Sequence, residues 1–150
     1  MSTRDTRFDR VLRVRDERLK QTVLALEQAR AQETRVRAEL EHALQNRKQA
    51  EEARRELGVR GAEMLDFIEA EDWLGSCAIA EELAIRRLRQ AHAVFEKAQL
   101  RVKDARIKVR QLEQLKERSR LRAVEKEKRA QRVLDDEIGQ RIAQSQRRPR

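Results

Sequence analysis

Apolar residues recur along this chain in steps of three and four, the spacing that lines one face of an α-helix. Up to Leu57 they fall into two interleaved heptad sets. One runs Leu12, Leu19, Leu26, Glu33, Leu40, Arg47, Arg54. The other runs Phe8, Arg15, Thr22, Ala29, Val36, Ala43, Ala50, Leu57. The pattern then meets Gly58-Val59-Arg60-Gly61, whose glycines supply the left-handed conformations that end a helix and reverse the chain. A second pair of heptad sets follows. It comprises Phe67, Leu74, Glu81, Leu88, Phe95, Val102, Val109 and, interleaved, Ala70, Cys77, Ala84, Ala91, Ala98, Ala105, Leu112. These sets pass through Gly75 without a change of phase, which predicts a weak point inside a helix and no boundary there. A break with Ser76 as N-cap is the less favoured reading.

The fold class this predicts is all-α: two long helices in an antiparallel coiled-coil hairpin, with helix 6–57, turn 58–61 and helix 62–145 in a single domain spanning 1–150. The arms dock when positions whose numbers sum to 124 are paired. Leu12 then meets Leu112, Leu19 Ala105, Leu26 Ala98, Ala29 Phe95, Val36 Leu88, Ala50 Leu74 and Leu57 Phe67. Large side chains mostly face small ones, which fills a seam without voids. The centre of this register falls beside the glycines, so periodicity and turn chemistry agree. A slip of one heptad with a longer loop is the alternative. An arm of fifty residues would be about 75 Å long. The second helix is longer and loses its partner beyond residue 124. Its overhang, Glu125–Gln144, carries a stripe of Val133, Leu134, Ile138 and Ile142 that nothing in the chain covers, and Gln146–Arg150 is expected to fray.

Composition narrows the class. Charged residues make up 42% and aromatics 3%, so an ordinary globular core is excluded. The abundant Ala, Leu, Glu, Gln, Lys and Arg favour helix over disorder. No apolar run approaches a membrane span, so no direct membrane insertion is expected, and the first residues carry no secretory signal pattern. The lone Cys77 permits no internal disulfide, which suits a reducing, cytoplasmic setting. The net charge of +9 is uneven. Residues 1–60 carry +4, residues 61–85 hold seven acids and no Lys or Arg, and residues 86–150 carry +12. Different parts of the chain are therefore expected to meet different partners.

Candidate chemistry is sparse. There is no glycine-rich phosphate loop, no His/Cys cluster and no nucleophile–base pair, so no catalytic, cofactor or metal site is expected and the chain does not read as an enzyme. His42 and His92 lie off the seams and read as surface residues. Cys77 reads as a small apolar filler, and the carboxylates read as members of surface ion pairs. Three features exceed that plain reading. An off-seam stripe, Leu65, Ile68, Asp72, Ser76, Ile79 and Leu83 with Trp73 beside it, reads as a protein-docking patch; scattered surface apolars are its ordinary explanation. The basic stretch Lys116–Arg132, with Arg147, Arg148 and Arg150, reads as a solvated helix, an acidic-channel binder or a phosphate binder. Interleaved Glu117, Glu125 and Glu127 and the absence of aromatics make nucleic acid the weaker partner. Polar seam residues Arg15, Glu33, Arg47 and Arg54 suggest a marginal hairpin that gains order from a partner.

The opening Phe8-Asp9-Arg10-Val11-Leu12-Arg13-Val14-Arg15-Asp16-Glu17 resembles the start of the FliJ/YscO family, a Phe followed by a Leu-x-x-(Arg/Lys)-(Asp/Glu) helix. The closing Glu125–Ile138 resembles that family's charged tail with its Leu-Asp-Glu-apolar ending, here with one extra acid across Asp135 and Asp136. The likeness spans the chain through degenerate motifs. What it implies is a stalk protein of flagellar or type III secretion export ATPases: a non-enzymatic shaft that promotes activity of a hexameric ATPase, touches the export gate's membrane protein, and in some members holds export chaperones. By this resemblance Leu65, Ile68, Trp73, Ser76, Ile79 and Leu83 lie where the gate would bind. Arg122, Arg129, Arg132, Leu134, Asp136, Glu137 and Ile138 lie where the ATPase pore would be. The expected setting is cytoplasmic, peripheral to the inner-membrane export apparatus, with the chain monomeric when alone. The other classes considered are a nucleic-acid-binding coiled coil, marked by steep salt dependence, and a self-associating scaffold, marked by dimers or larger species.

Overall fold

A computed structural model describes residues 3–148, with side chains from residue 6 onward. Two helices account for nearly all of it: α1, Thr3–Arg60, and α2, Met64–Gln146. Among the described residues there is no strand. The result is a helical hairpin of two long helices, the second the longer.

The turn is shorter than the glycine pattern suggests. α1 continues through Gly58 and Val59 to Arg60, and only Gly61 takes a positive φ, +69°. One helical glycine costs about 1 kcal/mol, less than giving up the hydrogen bonds of the turn that follows it. Ala62 and Glu63 complete the reversal, so α2 begins at Met64 and not at residue 62. The backbone N–H of Glu63 donates to Asp66 Oδ2 at 3.3 Å, and Asp66 N–H donates to the Glu63 carbonyl at 3.1 Å. This is the carboxylate half of a capping box, and Asp66 also suits the positive end of the helix dipole. Gly75 lies inside α2, which runs on unbroken past Ser76.

The chain divides into two compact units. In Glu17–Ala105 the buried residues are Ala29, Glu33, Val36, Ala43 and Ala50 on α1, and Ala70, Cys77, Ala84, Ala91, Ala98 and Val102 on α2. These are heptad positions, and most are alanines. Small side chains let two backbones approach closely, which is why no large side chain is fully buried here. Leucines and phenylalanines flank the alanines half-buried: Leu19, Leu26, Leu40 and Leu57 on α1, Phe67, Leu74, Leu88 and Phe95 on α2. Of the seam positions read from periodicity in this unit, Arg54 alone is exposed. Its guanidinium leaves the seam to meet Glu71 at 2.6 Å.

Cross-helix ion pairs report the register. Arg47 meets Glu81 at 2.6 Å, Arg87 meets Glu39 at 3.7 Å and His92 meets Glu33 at 3.2 Å. With Arg54–Glu71, each pair is centred on residues 62 to 64, within two residues of the centre expected from periodicity.

The other unit, Met1–Asp16 with Arg106–Arg150, is sparser. Val109 is buried, and Phe8, Leu12, Arg15, Leu112, Lys116, Ser119 and Val124 are half-buried. Lys116 Nζ reaches Asp9 Oδ1 at 2.5 Å. From residue 125 to 148 every residue is exposed. Arg147 N–H donates to the Gln144 carbonyl at 3.3 Å as the helix ends. Pro149 and Arg150, both named from the sequence, lie outside the described residues.

Candidate protein-interaction surfaces

The first surface lies on α2 just after the turn. Leu65, Ile68, Ile79 and Leu83 are exposed by 66%, 54%, 63% and 47%. Ser76 and Asp72 are exposed between them. Helical geometry explains the stripe. Steps of three and four residues keep these positions on the side of α2 away from Ala70, Cys77 and Ala84, so the packing that buries the alanines leaves the stripe to solvent. Its surroundings are acidic, since residues 61–85 contain no Lys or Arg.

Trp73 is not part of that line. It falls three residues after buried Ala70 and four before buried Cys77, on the flank of the seam. It lines a groove of about 300 Å³ against α1, with Ala53, Leu57 and Arg60 opposite and Asp66 and Ala70 beside it. The structure therefore brings Leu65, Ile68, Ser76, Ile79 and Leu83 together and sets Trp73 apart from them. Two residues absent from the sequence-derived set join the exposed apolar surface near the turn, Val59 at 85% and Met64 at 79%. Periodicity gives no signal for either, because both sit where the heptads stop. Only the position of the turn identifies them.

The second surface is the C-terminal part of α2. Arg122, Arg129, Arg132, Leu134, Asp136, Glu137 and Ile138 are all exposed. Val133, Leu134, Ile138 and Ile142 are uncovered by 57%, 52%, 54% and 53%. The tail continues the helix that carries Val109 and Leu112, but α1 covers none of these apolar side chains. Arg122 also borders an open groove of about 740 Å³ in this unit, formed with Phe8, Leu115, Arg118 and Val124. Locally the tail is held by neighbours one turn away. Gln131 Nε2 donates to Asp135 at 3.1 Å, and the Arg120 guanidinium donates to both oxygens of Glu117 at 2.8 and 3.1 Å. That fork holds the Glu117 carboxyl below its ordinary range, through the hydrogen bond first and Coulomb attraction second.

Electrostatics inside the hairpin concentrates at two polar layers. Glu33, 8% exposed, is the buried charged residue of the seam. Arg37 donates to its Oε1 at 2.8 Å, and His92 Nδ1 lies 3.2 Å from the same oxygen. The other ring nitrogen, Nε2, lies 3.1 Å from Glu96. His92 is exposed, as its off-seam position suggested, and its ring also bridges the two helices. His42 is exposed as expected. At the second layer Arg47 spans Glu81 and Glu51, and the Glu81 hydrogen bond leads in holding its guanidinium more firmly protonated. Cys77 is buried between alanine layers. Among the described residues no cluster of His, Cys, Asp and Glu could hold a metal ion, and no helix is long and apolar enough to cross a membrane.

Comparison with known proteins adds one finding. The family FliJ, described as the flagellar FliJ protein, matches residues 4–148. No curated protein and no solved structure matches. The match covers both helices and both surfaces, and the chain belongs to the FliJ family, whose members are non-enzymatic components associated with flagellar and type III export.

Proposed function

We propose that this chain is the stalk of a flagellar or type III export ATPase, stimulating a hexameric ATPase through its C-terminal tail and meeting the export gate's membrane protein through the stripe that follows the turn. The observation that carries the reading is the uncovered tail. Residues 125–146 stay helical and exposed while displaying Leu134, Ile138 and Ile142, a pattern that makes sense when another protein supplies the missing face. Arg122, Arg129 and Arg132 supply charge for an acidic lining around that face, and Asp136 and Glu137 supply acceptors for its donors. The stripe Leu65, Ile68, Ser76, Ile79 and Leu83 is chemically different, apolar and acidic, and suits a different partner. On this reading the protein works in the cytoplasm, peripheral to the export apparatus, is monomeric when alone, and has export chaperones as additional partners.

The test is a purified ATPase assay. Reversing Arg122, Arg129 and Arg132 to Glu is expected to reduce stimulation at least about tenfold, the scale of losing a few charge-assisted contacts. Unchanged stimulation removes the tail assignment. Separately, Ile79→Asp with Leu83→Asp is expected to abolish gate binding with the circular dichroism spectrum intact, and normal binding by that double variant removes the patch assignment. Duplex DNA binding near physiological ionic strength, lost steeply with added salt, would favour a nucleic-acid coiled coil instead.

A further inference from the structure

In the unit that holds the tail, α2 carries an exposed, predominantly cationic face. Val109, Leu112, Lys116 and Ser119 mark its covered side. At about 100° per residue, Arg110, Arg118, Arg122, Lys128, Arg129 and Arg132 fall within about 80° of the opposite side. All six are exposed, and none joins an ion pair among the described residues. Two acids, Glu117 and Glu125, share that side. Glu117 is engaged by Arg120 at 2.8 Å, and Glu113 and Glu127 fall toward the covered side. Two apolar residues stand in the cationic line, Ile107 at 43% and Leu121 at 49% exposed.

We propose that this outward face of α2, from Ile107 to Arg132, adsorbs flat on a bilayer surface rich in anionic phospholipid. A straight helix presents its cations along a line, which matches the plane of charged headgroups. Ile107 and Leu121 would enter the boundary between headgroups and acyl chains, a contact that a phosphate backbone does not reward. No aromatic residue occurs after Phe95, so the stacking that secures single-stranded nucleic acid is missing. The face lies on the surface and does not span it, and among the described residues no helix is long and apolar enough to cross. The face shares Arg122, Arg129 and Arg132 with the surface proposed for the ATPase, so its central test leaves those three untouched.

The test is co-sedimentation of the full chain with vesicles of phosphatidylglycerol mixed into phosphatidylcholine, beside vesicles of phosphatidylcholine alone. Binding is expected only to the anionic vesicles and is expected to fall as salt is raised. Reversal of Arg110, Arg118 and Lys128 to Glu is expected to weaken it at least about tenfold while helicity is retained. Ile107→Ser with Leu121→Ser is expected to weaken vesicle binding and leave retention on a polyanionic resin unchanged. The proposal is overturned by absent binding, by equal binding to neutral vesicles, or by a charge-reversed variant that binds as well as the parent. It is also overturned by a serine variant that binds vesicles normally, or by duplex DNA that displaces the protein from vesicles at matched ionic strength.

Discussion

Glu33 shows how much one side chain sets in a seam of alanines. It is buried between helices, shares an oxygen with Arg37 and His92, and so selects the layer at which His92 of α2 can stand. A buried carboxylate with partners supports register more than stability. Replacing it with Leu is therefore expected to raise hairpin stability by about 1 kcal/mol. A lower thermal midpoint for Glu33→Leu would show that the polar layer contributes more than it costs. Exposed pairs behave differently. Arg120 holds the Glu117 carboxyl down, so the small stabilisation this pair brings is present at neutral pH and is lost as acid titrates the carboxyl through its lowered pKa. Arg120→Ala is expected to move the Glu117 titration, followed by NMR, upward toward the ordinary glutamate range. A titration unmoved by that change would remove the fork as its cause.

At the scale of elements, the glycines separate by conformation. Gly61 alone has a positive φ, and an alanine there adopts a left-handed backbone that L-residues avoid. Gly61→Ala is expected to destabilise the hairpin by about 1–2 kcal/mol. Gly75 is ordinary helix with open space around an added Cβ, so Gly75→Ala is expected to stabilise by about 1 kcal/mol. Thermal unfolding of the two variants should move in opposite directions, and a shift of the same sign in both would contradict the helix assignment at one of them.

For the whole molecule, the decisive property is that the chain pairs with itself. Leu26 and Ala98 belong to one unit, half-buried and buried respectively. Cysteines at these two positions, with Cys77 replaced by Ser, are expected to cross-link within one chain at high dilution. Links found only between two chains would show an intermolecular coil. Removal of residues 125–150 is expected to leave cooperative unfolding of the paired helices unchanged and to abolish ATPase stimulation. An unchanged stimulation after that truncation would separate the tail from the proposed activity.

Much of this molecule is written in its spacing. Heptads alone placed Ala29, Val36, Ala43, Ala84 and Ala91 in the seam, because burial on a helix follows a period that no distant contact alters. They also marked the apolar tail as unpartnered, since the heptads before Phe8 run out first. What periodicity does not contain is the reach of long side chains and the cost of each backbone angle. Arg54 leaves its seam position for Glu71, and His92 enters a bridge from an off-seam position, because flexible stems and rings find charges across a gap that spacing does not measure. Likewise both glycines of Gly58–Gly61 permit a turn, and only the packing of the two arms decided that Gly61 makes it and that Trp73 faces α1 apart from the exposed stripe.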